Sequence, residues 1–181
     1  MNPATVVYTY DDYLLLPNDG KRYEIIDGEL AVTPAPSTEH QEISLRLEKA
    51  LLQHIEQHNW GKLYHAPVDV VFSMTDVVQP DIVLVSKDRT HIITKKNIVA
   101  APDVVVEILS ETTENTDRTA KKAMYERFGV KEYWIVDPPA RTVEVYRLQG
   151  NRFDEPRIFG GEEIIVSGVL PGVDVHVNQI L

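Results

Sequence analysis

The chain has 181 residues, 43% of them hydrophobic and none of them cysteine, and a formal net charge of -10. Its length favours one globular domain over residues 1–181 with a real core, and the missing cysteines exclude disulfides, thiolate nucleophiles and zinc–thiolate sites. The negative balance excludes broad nonspecific attraction to nucleic acid, so any such contact must be local. No apolar run approaches the roughly 18 residues of a membrane span, and the opening MNPATVVYTY lacks a basic region followed by an apolar core. These features point to a cytoplasmic protein with no membrane partner.

In chain order, Thr9 with Asp12 three residues later reads as the N-terminus of a short helix that Pro17 closes. Arg22–Ile26 and Glu29–Thr33 flank Asp27-Gly28, the dipeptide that a type I' hairpin prefers because both turn positions need positive φ. Glu24 lies on the same strand face as Ile26, so it is either a partly buried acid or an edge-strand surface carboxylate. After the Pro34–Ser37 break, Ser37 caps a helix with apolar Ile43, Leu47, Ala50, Leu51 and Ile55 at helical spacing. His40 sits in its first turn, and His54 and His58 lie four apart near its end. A zinc pair of the metalloprotease kind needs Glu after the first His, and Ile55 stands there, which favours two half-exposed imidazoles.

From Gly61 the pattern turns strand-like, with strands expected at Lys62–His65, Val68–Met74 and Gln79–Val85. Asp81 follows Pro80 at the start of the last, where proline is tolerated, and alone it could be an ordinary strand-end acid. Ser86–Asn97 carries Lys87, Arg89, Lys95 and Lys96 against Asp88, either a phosphate contact or a solvated loop.

Within the expected strand Asp103–Ser110, alternation puts Glu107 among apolar residues. An unpaired carboxylate there costs several kcal/mol, so Glu107 must bind a cation, accept hydrogen bonds or line a cleft. Thr116 is the expected cap of a helix running to Phe128, ended by Gly129. On it Asp117, Lys121, Met124, Tyr125 and Phe128 share one face, while Lys122 joins Arg118 and Glu126 on a solvated stripe. Lys121 therefore faces the apolar side, buried or with its stem snorkelling to water. Glu132–Asp137 completes a βαβ-like unit, Thr142–Leu148 and Arg152–Phe159 form a hairpin, and Glu163–Val166 and Val173–Val177 read as closing strands. The tally is α/β, with a mixed sheet flanked by helices and additional hairpins.

Asp81, Glu107 and Lys121 form the chemical constellation. Two carboxylates on adjacent strands suit a hard cation such as Mg²⁺, which activates water beside a phosphoryl group, and an ammonium would orient or deprotonate that water and stabilise developing charge.

The runs YEIIDGEL, His40 before a helix, QPDIVLV, VVVEILS, Thr113 through Asp117 and Lys121 to Tyr125 at every fourth residue, and GVKEYWIVDP together resemble the Uma-two family of restriction endonucleases, in the PD-(D/E)XK nuclease superfamily. The resemblance implies a restriction-endonuclease-like core, a mixed central sheet flanked by helices. It implies Asp81 and Glu107 as metal ligands, with the backbone carbonyl of Ile108 as a third, for Mg²⁺ or in its place Mn²⁺. The usual lysine two residues after the acid is absent, Leu109 standing there, and Lys121 matches a lysine moved to the neighbouring helix. Glu24 and His40 match family positions near the site, implying a second metal ligand and a water or phosphate contact. Pro102-Asp103 is a decoy, because Asp103 shares Glu107's strand. The implied activity is hydrolysis of phosphodiester bonds in DNA, for which a homodimer would suit cutting two strands. Glu111, in place of the family's common proline, adds negative charge near a phosphate site. The acidic balance and displaced lysine leave an alternative, a catalytically inactive nuclease-like module that binds nucleic acid or a protein partner.

Overall fold

The structure, a computed structural model, describes residues 6–181. The first helix α1 (Tyr10–Tyr13) has the expected reciprocal cap: Thr9 N donates to Asp12 Oδ2 at 2.8 Å, and Asp12 N donates to Thr9 Oγ1 at 3.4 Å. Strands β1 (Arg22–Ile26) and β2 (Glu29–Thr33) pair antiparallel, with Ile26 opposite Glu29. Asp27 (φ 51°) and Gly28 (φ 79°) supply the two positive-φ turn positions. Helix α2 (Thr38–His58) is capped by Ser37, whose Oγ accepts from His40 N at 3.2 Å.

Then come β3 (Gly61–His65), β4 (Val70–Ser73), β5 (Asp76–Val78), β6 (Ile82–Ser86), β7 (Ile98–Val99) and β8 (Val104–Ile108). The strand expected over Gln79–Val85 is thereby corrected. The chain leaves β5 in one sheet, passes through Gln79, Pro80 and Asp81, and enters β6 in another. Proline has no ladder donor to offer, so it suits this crossing. The basic segment contains a 3₁₀ helix at Lys87–Ile92. Helix α3 runs Glu114–Thr116, a π turn at Asp117–Lys121, and Lys122–Phe128. It begins before Thr116, which lies within it, and Gly129 ends it at φ 83° as expected.

Strands β9 (Glu132–Asp137), β10 (Thr142–Gln149), β11 (Arg152–Phe153) and β12 (Arg157–Gly160) follow, the hairpin's second arm being broken around Pro156. The expected closing strands reduce to one bridge, Ile164 to His176, and the short helix α4 (Val177–Ile180). Their apolar residues pack as an irregular segment, Ile165, Leu170, Val173 and Val175 all being buried in the core.

The smaller sheet has the order β2-β1-β5-β4-β7, and the larger β11-β10-β9-β8-β6-β3, with β12 beside β10. In the larger, β6 and β8 are antiparallel while β8 and β9 are parallel, the pairing a βαβ crossover through α3 requires. Two cores cover its faces. On one, Ile43, Leu47, Leu51 and Ile55 of α2 and the C-terminal segment pack on Ile82, Leu84, Val104 and Val106. On the other, Met124 and Tyr125 of α3 and small-sheet residues such as Val70 and Val78 pack on Val83, Val105 and Ile135. Strand alternation predicts this division of β8 between faces. The fold is thus mixed α/β. None of the described helices is long and apolar enough to cross a membrane.

Candidate functional site

Because β6 and β8 run antiparallel with Ile82 opposite Val106, the residues just outside that register, Asp81 and Glu107, emerge at the same sheet end. Both line a cleft of about 460 Å³, together with Glu24 from β1, His40 from α2, and Asp117 and Lys121 from α3. The structure therefore brings together the five side chains expected at the site, Asp81, Glu107, Lys121, Glu24 and His40, and adds Asp117 and Arg22, to which the sequence had assigned no role there.

Lys121 sits at the centre. Its Nζ lies 3.1 Å from Glu107 Oε1, 3.1 Å from Glu24 Oε2 and 3.3 Å from Asp117 Oδ1. Glu107 Oε1 also accepts from Tyr125 OH at 2.6 Å, and Glu24 Oε1 accepts from Gln79 N at 2.8 Å. Glu24 is accordingly an internal ion-pair partner and not an edge-strand surface acid. The π turn lies where Asp117 and Lys121 both turn inward, a local widening of the kind often found at functional sites. It has no sequence signature, so periodicity finds the inward face and misses the bulge.

Asp81 is held by different groups. Its Oδ2 accepts from Ile108 N at 2.9 Å and from His40 Nε2 at 3.1 Å, and Oδ1 accepts from Arg22 NH1 at 3.3 Å. A carboxylate accepts only, so the imidazole proton resides on Nε2. Capped by Ser37, the first turn of α2 aims His40 at this acid.

Charge does not balance here. Glu24, Asp81, Glu107 and Asp117 are at most 5% exposed, and the fixed cations facing them are Lys121 and Arg22. Burial drives Glu107 well above the usual carboxylate range; Lys121 pulls it down, while Asp117, Asp81 and Glu24 push it further up. Burial likewise raises Asp117, against Lys121 and a Thr113 hydrogen bond. Burial also works to raise Asp81, but His40, the Ile108 amide and Arg22 outweigh it and hold this acid below its ordinary value. For Lys121 burial favours the neutral amine, and Glu107, Glu24, Asp117 and Asp81 overcome it, so the ammonium is retained well above its normal range. Asp117 Oδ1, despite its ionic contact, is buried without a hydrogen-bond partner. Among the described residues, no three His, Asp or Glu side chains converge on one metal position.

Other sequence candidates fall elsewhere. His54 and His58 stack with ring centroids 4.3 Å apart, and His58 Nδ1 donates to the His54 carbonyl at 2.9 Å; in place of two half-exposed imidazoles, His54 is buried and His58 exposed. Arg89 of the basic segment donates to Asp103 Oδ1 at 3.1 Å and to the Ala101 carbonyl at 2.7 Å. That segment follows the far end of β6, roughly 16 Å from Asp81 by the rise of five strand residues. Arg118, expected on a solvated stripe, is tied at 2.7 Å to both Asp137 and Glu144.

A family model described as "Putative restriction endonuclease", Uma2, matches residues 10–178, and the chain belongs to that family. The crystal structure of "a putative nuclease belonging to DUF820" from Anabaena variabilis is similar, with a TM-score of 0.80 and 22% identity over 95% of this chain and 96% of that one. At that identity the likeness establishes the fold. No curated protein matches the chain significantly.

Proposed function

We propose that the chain is a metal-dependent endonuclease that hydrolyses phosphodiester bonds of DNA, with Asp81 and Glu107 as its acid pair. The observation that carries this reading is the surplus of buried carboxylate at the end of β6 and β8, in a chain of a family described as restriction endonucleases. The residues present fit a divalent cation: hard oxygen donors, more buried acids than fixed cations, and a buried carboxylate oxygen on Asp117 that has an ionic contact and no hydrogen-bond partner. Asp81, Glu107 and the Ile108 carbonyl would hold Mg²⁺ or Mn²⁺. Bound there, the cation supplies Lewis-acid activation of water and neutralisation of phosphoryl charge.

The chain's own groups do the rest. Lys121, kept charged by its three acids, acts as a fixed positive charge near developing negative charge and not as a base in the free protein. Glu24 and Asp117 hold that ammonium in place, and His40 and the Ile108 amide orient Asp81. Incubation with plasmid and oligonucleotide DNA in Mg²⁺ or Mn²⁺ is expected to give cleavage, reduced by at least about 10²-fold in Glu107→Ala and Asp81→Asn. Cleavage undiminished in Glu107→Ala would sink this assignment of the site.

A catalytically idle module is the second reading, favoured by how completely Lys121 is engaged by carboxylates. Calorimetry separates the two: Mg²⁺ or Mn²⁺ binding that disappears in Asp81→Asn supports the enzyme, and no binding supports the idle module.

A further inference from the structure

A cleft that handles a polyanion needs a cation with donors to spare, and Lys121 has none, its ammonium lying between three carboxylates. Arg22 is different. It is the first residue of β1, its side chain is 19% exposed, and NH1 makes one contact, the 3.3 Å bond to Asp81. Its Nε is buried with no hydrogen-bond partner, although a buried unpaired donor is costly. A guanidinium carries five donors in a planar fork matched to phosphate, so most of Arg22's capacity is unused among the described residues.

Its position says where that capacity points. Arg22, with His40, Asp81, Ala35 and Pro36, forms a wall common to the acidic cleft and to a second cavity of about 570 Å³. The second cavity is walled by Ala35, Pro36, Ala66, Pro67 and the 67%-exposed Leu45, and edged by Gln41, Ser44, Glu42 and Glu48. Apolar walls with a few polar groups suit a base and sugar, whereas Glu42 and Glu48 disfavour a phosphate inside it.

We propose that Arg22 grips a phosphate of the bound DNA strand at the junction of the two cavities, and that the second cavity receives the nucleoside on its far side. The proposal rests on the nuclease reading, and it makes Arg22 a substrate-binding residue and not merely Asp81's counter-ion.

The test uses the Glu107→Gln background, so that the DNA survives, and follows anisotropy of a fluorescent duplex across a salt series. Arg22→Gln should weaken binding about tenfold and flatten the slope of log affinity against log salt by about one. Arg22→Lys, which keeps a charge beside Asp81, should retain the slope while losing part of the affinity. Ser44→Phe, filling the second cavity from α2, should lower affinity with the slope unchanged. A thermal melt of each variant identifies any that fail to fold. A slope unchanged in folded Arg22→Gln overturns the phosphate grip alone, and affinity unchanged in Ser44→Phe overturns the nucleoside placement. Failure of every variant and of the parent to retain duplex at low salt overturns the nuclease reading and this inference together.

Discussion

The antiparallel pair β6–β8 carries buried aspartates at both ends, and the two ends are treated in opposite ways. At one end Asp103, fully buried, accepts from Ser86 N at 2.7 Å and meets Arg89 at 3.1 Å and Lys131 at 2.6 Å. One acid faces two cations and an amide. At the other end Asp81 and Glu107 share their surroundings with Glu24 and Asp117, and four acids face Lys121 and Arg22. Burial raises Asp103, but Lys131, Ser86 and Arg89 more than offset it and hold it below its ordinary range, whereas Glu107 stays high. The first end is compensated as a buried charge must be if it is to secure a fold. The second is left under-compensated, with perturbed acids lining a cleft, the pattern of a functional-site candidate.

The comparison can be broken most severely at Lys121. Lys121→Met leaves three buried acids facing one another without their ammonium and is expected to cost about 3–5 kcal/mol, read by urea denaturation. The neighbouring Lys122→Met removes only a cation 4.2 Å above the Tyr146 ring, worth about 0.5–1 kcal/mol. Equal losses for the two would refute the distinction.

Next in size, Asp103→Asn is expected to cost about 2–3 kcal/mol by weakening charge-assisted bonds to Arg89 and Lys131, with DNA cleavage per folded molecule unchanged. A fall in specific activity matching that of Glu107→Ala would show that the two ends are not separate in role.

The smallest effect is the pH dependence, measured in chelator by denaturation from acid to neutral pH. Glu107 and Asp117 bind protons more tightly folded than unfolded, so their contribution is complete at acid pH and is lost as pH rises through their raised values. Asp103 and Asp81 run oppositely: their contribution is present above the ordinary carboxylate range and is lost as pH falls through their lowered values. Glu107→Gln should therefore flatten the decline toward neutral pH and leave the acid-side loss in place, raising stability at neutral pH by on the order of 1 kcal/mol. A neutral-pH stability below that of the parent would show that Glu107's bonds to Lys121 and Tyr125 outweigh its repulsions.

Much of this was legible in the sequence because two periods do most of the placing. Alternation put Glu107 on the face of Val105 and Leu109, and the helical period put Lys121 with Met124 and Tyr125, and both hold in the packed chain. The Asp27-Gly28 turn carried β1 and hence Glu24 into the right register. What stayed hidden depends on partners that no local pattern names. Pro80 is equally at home at the start of a strand and between two sheets, so the crossing at Gln79–Asp81 looked like one strand. Ile165 to Val175 have the apolar content of strands yet find core neighbours without ladders. Arg22 opened a hairpin and showed no chemistry until Asp81, 59 positions later, was placed beside it.

That three-residue crossing also has a mechanical side. Glu24 belongs to the small sheet and Glu107 to the large one, so Lys121 is clasped by both layers at once, and the Gln79 amide fastens Glu24 to the crossing segment that joins them. The cleft is a joint between two slabs. Repacking Val70 or Val78 in the small sheet's buried face would shift one jaw of the clasp against the other and alter the spacing of the charges without substituting a single charged residue.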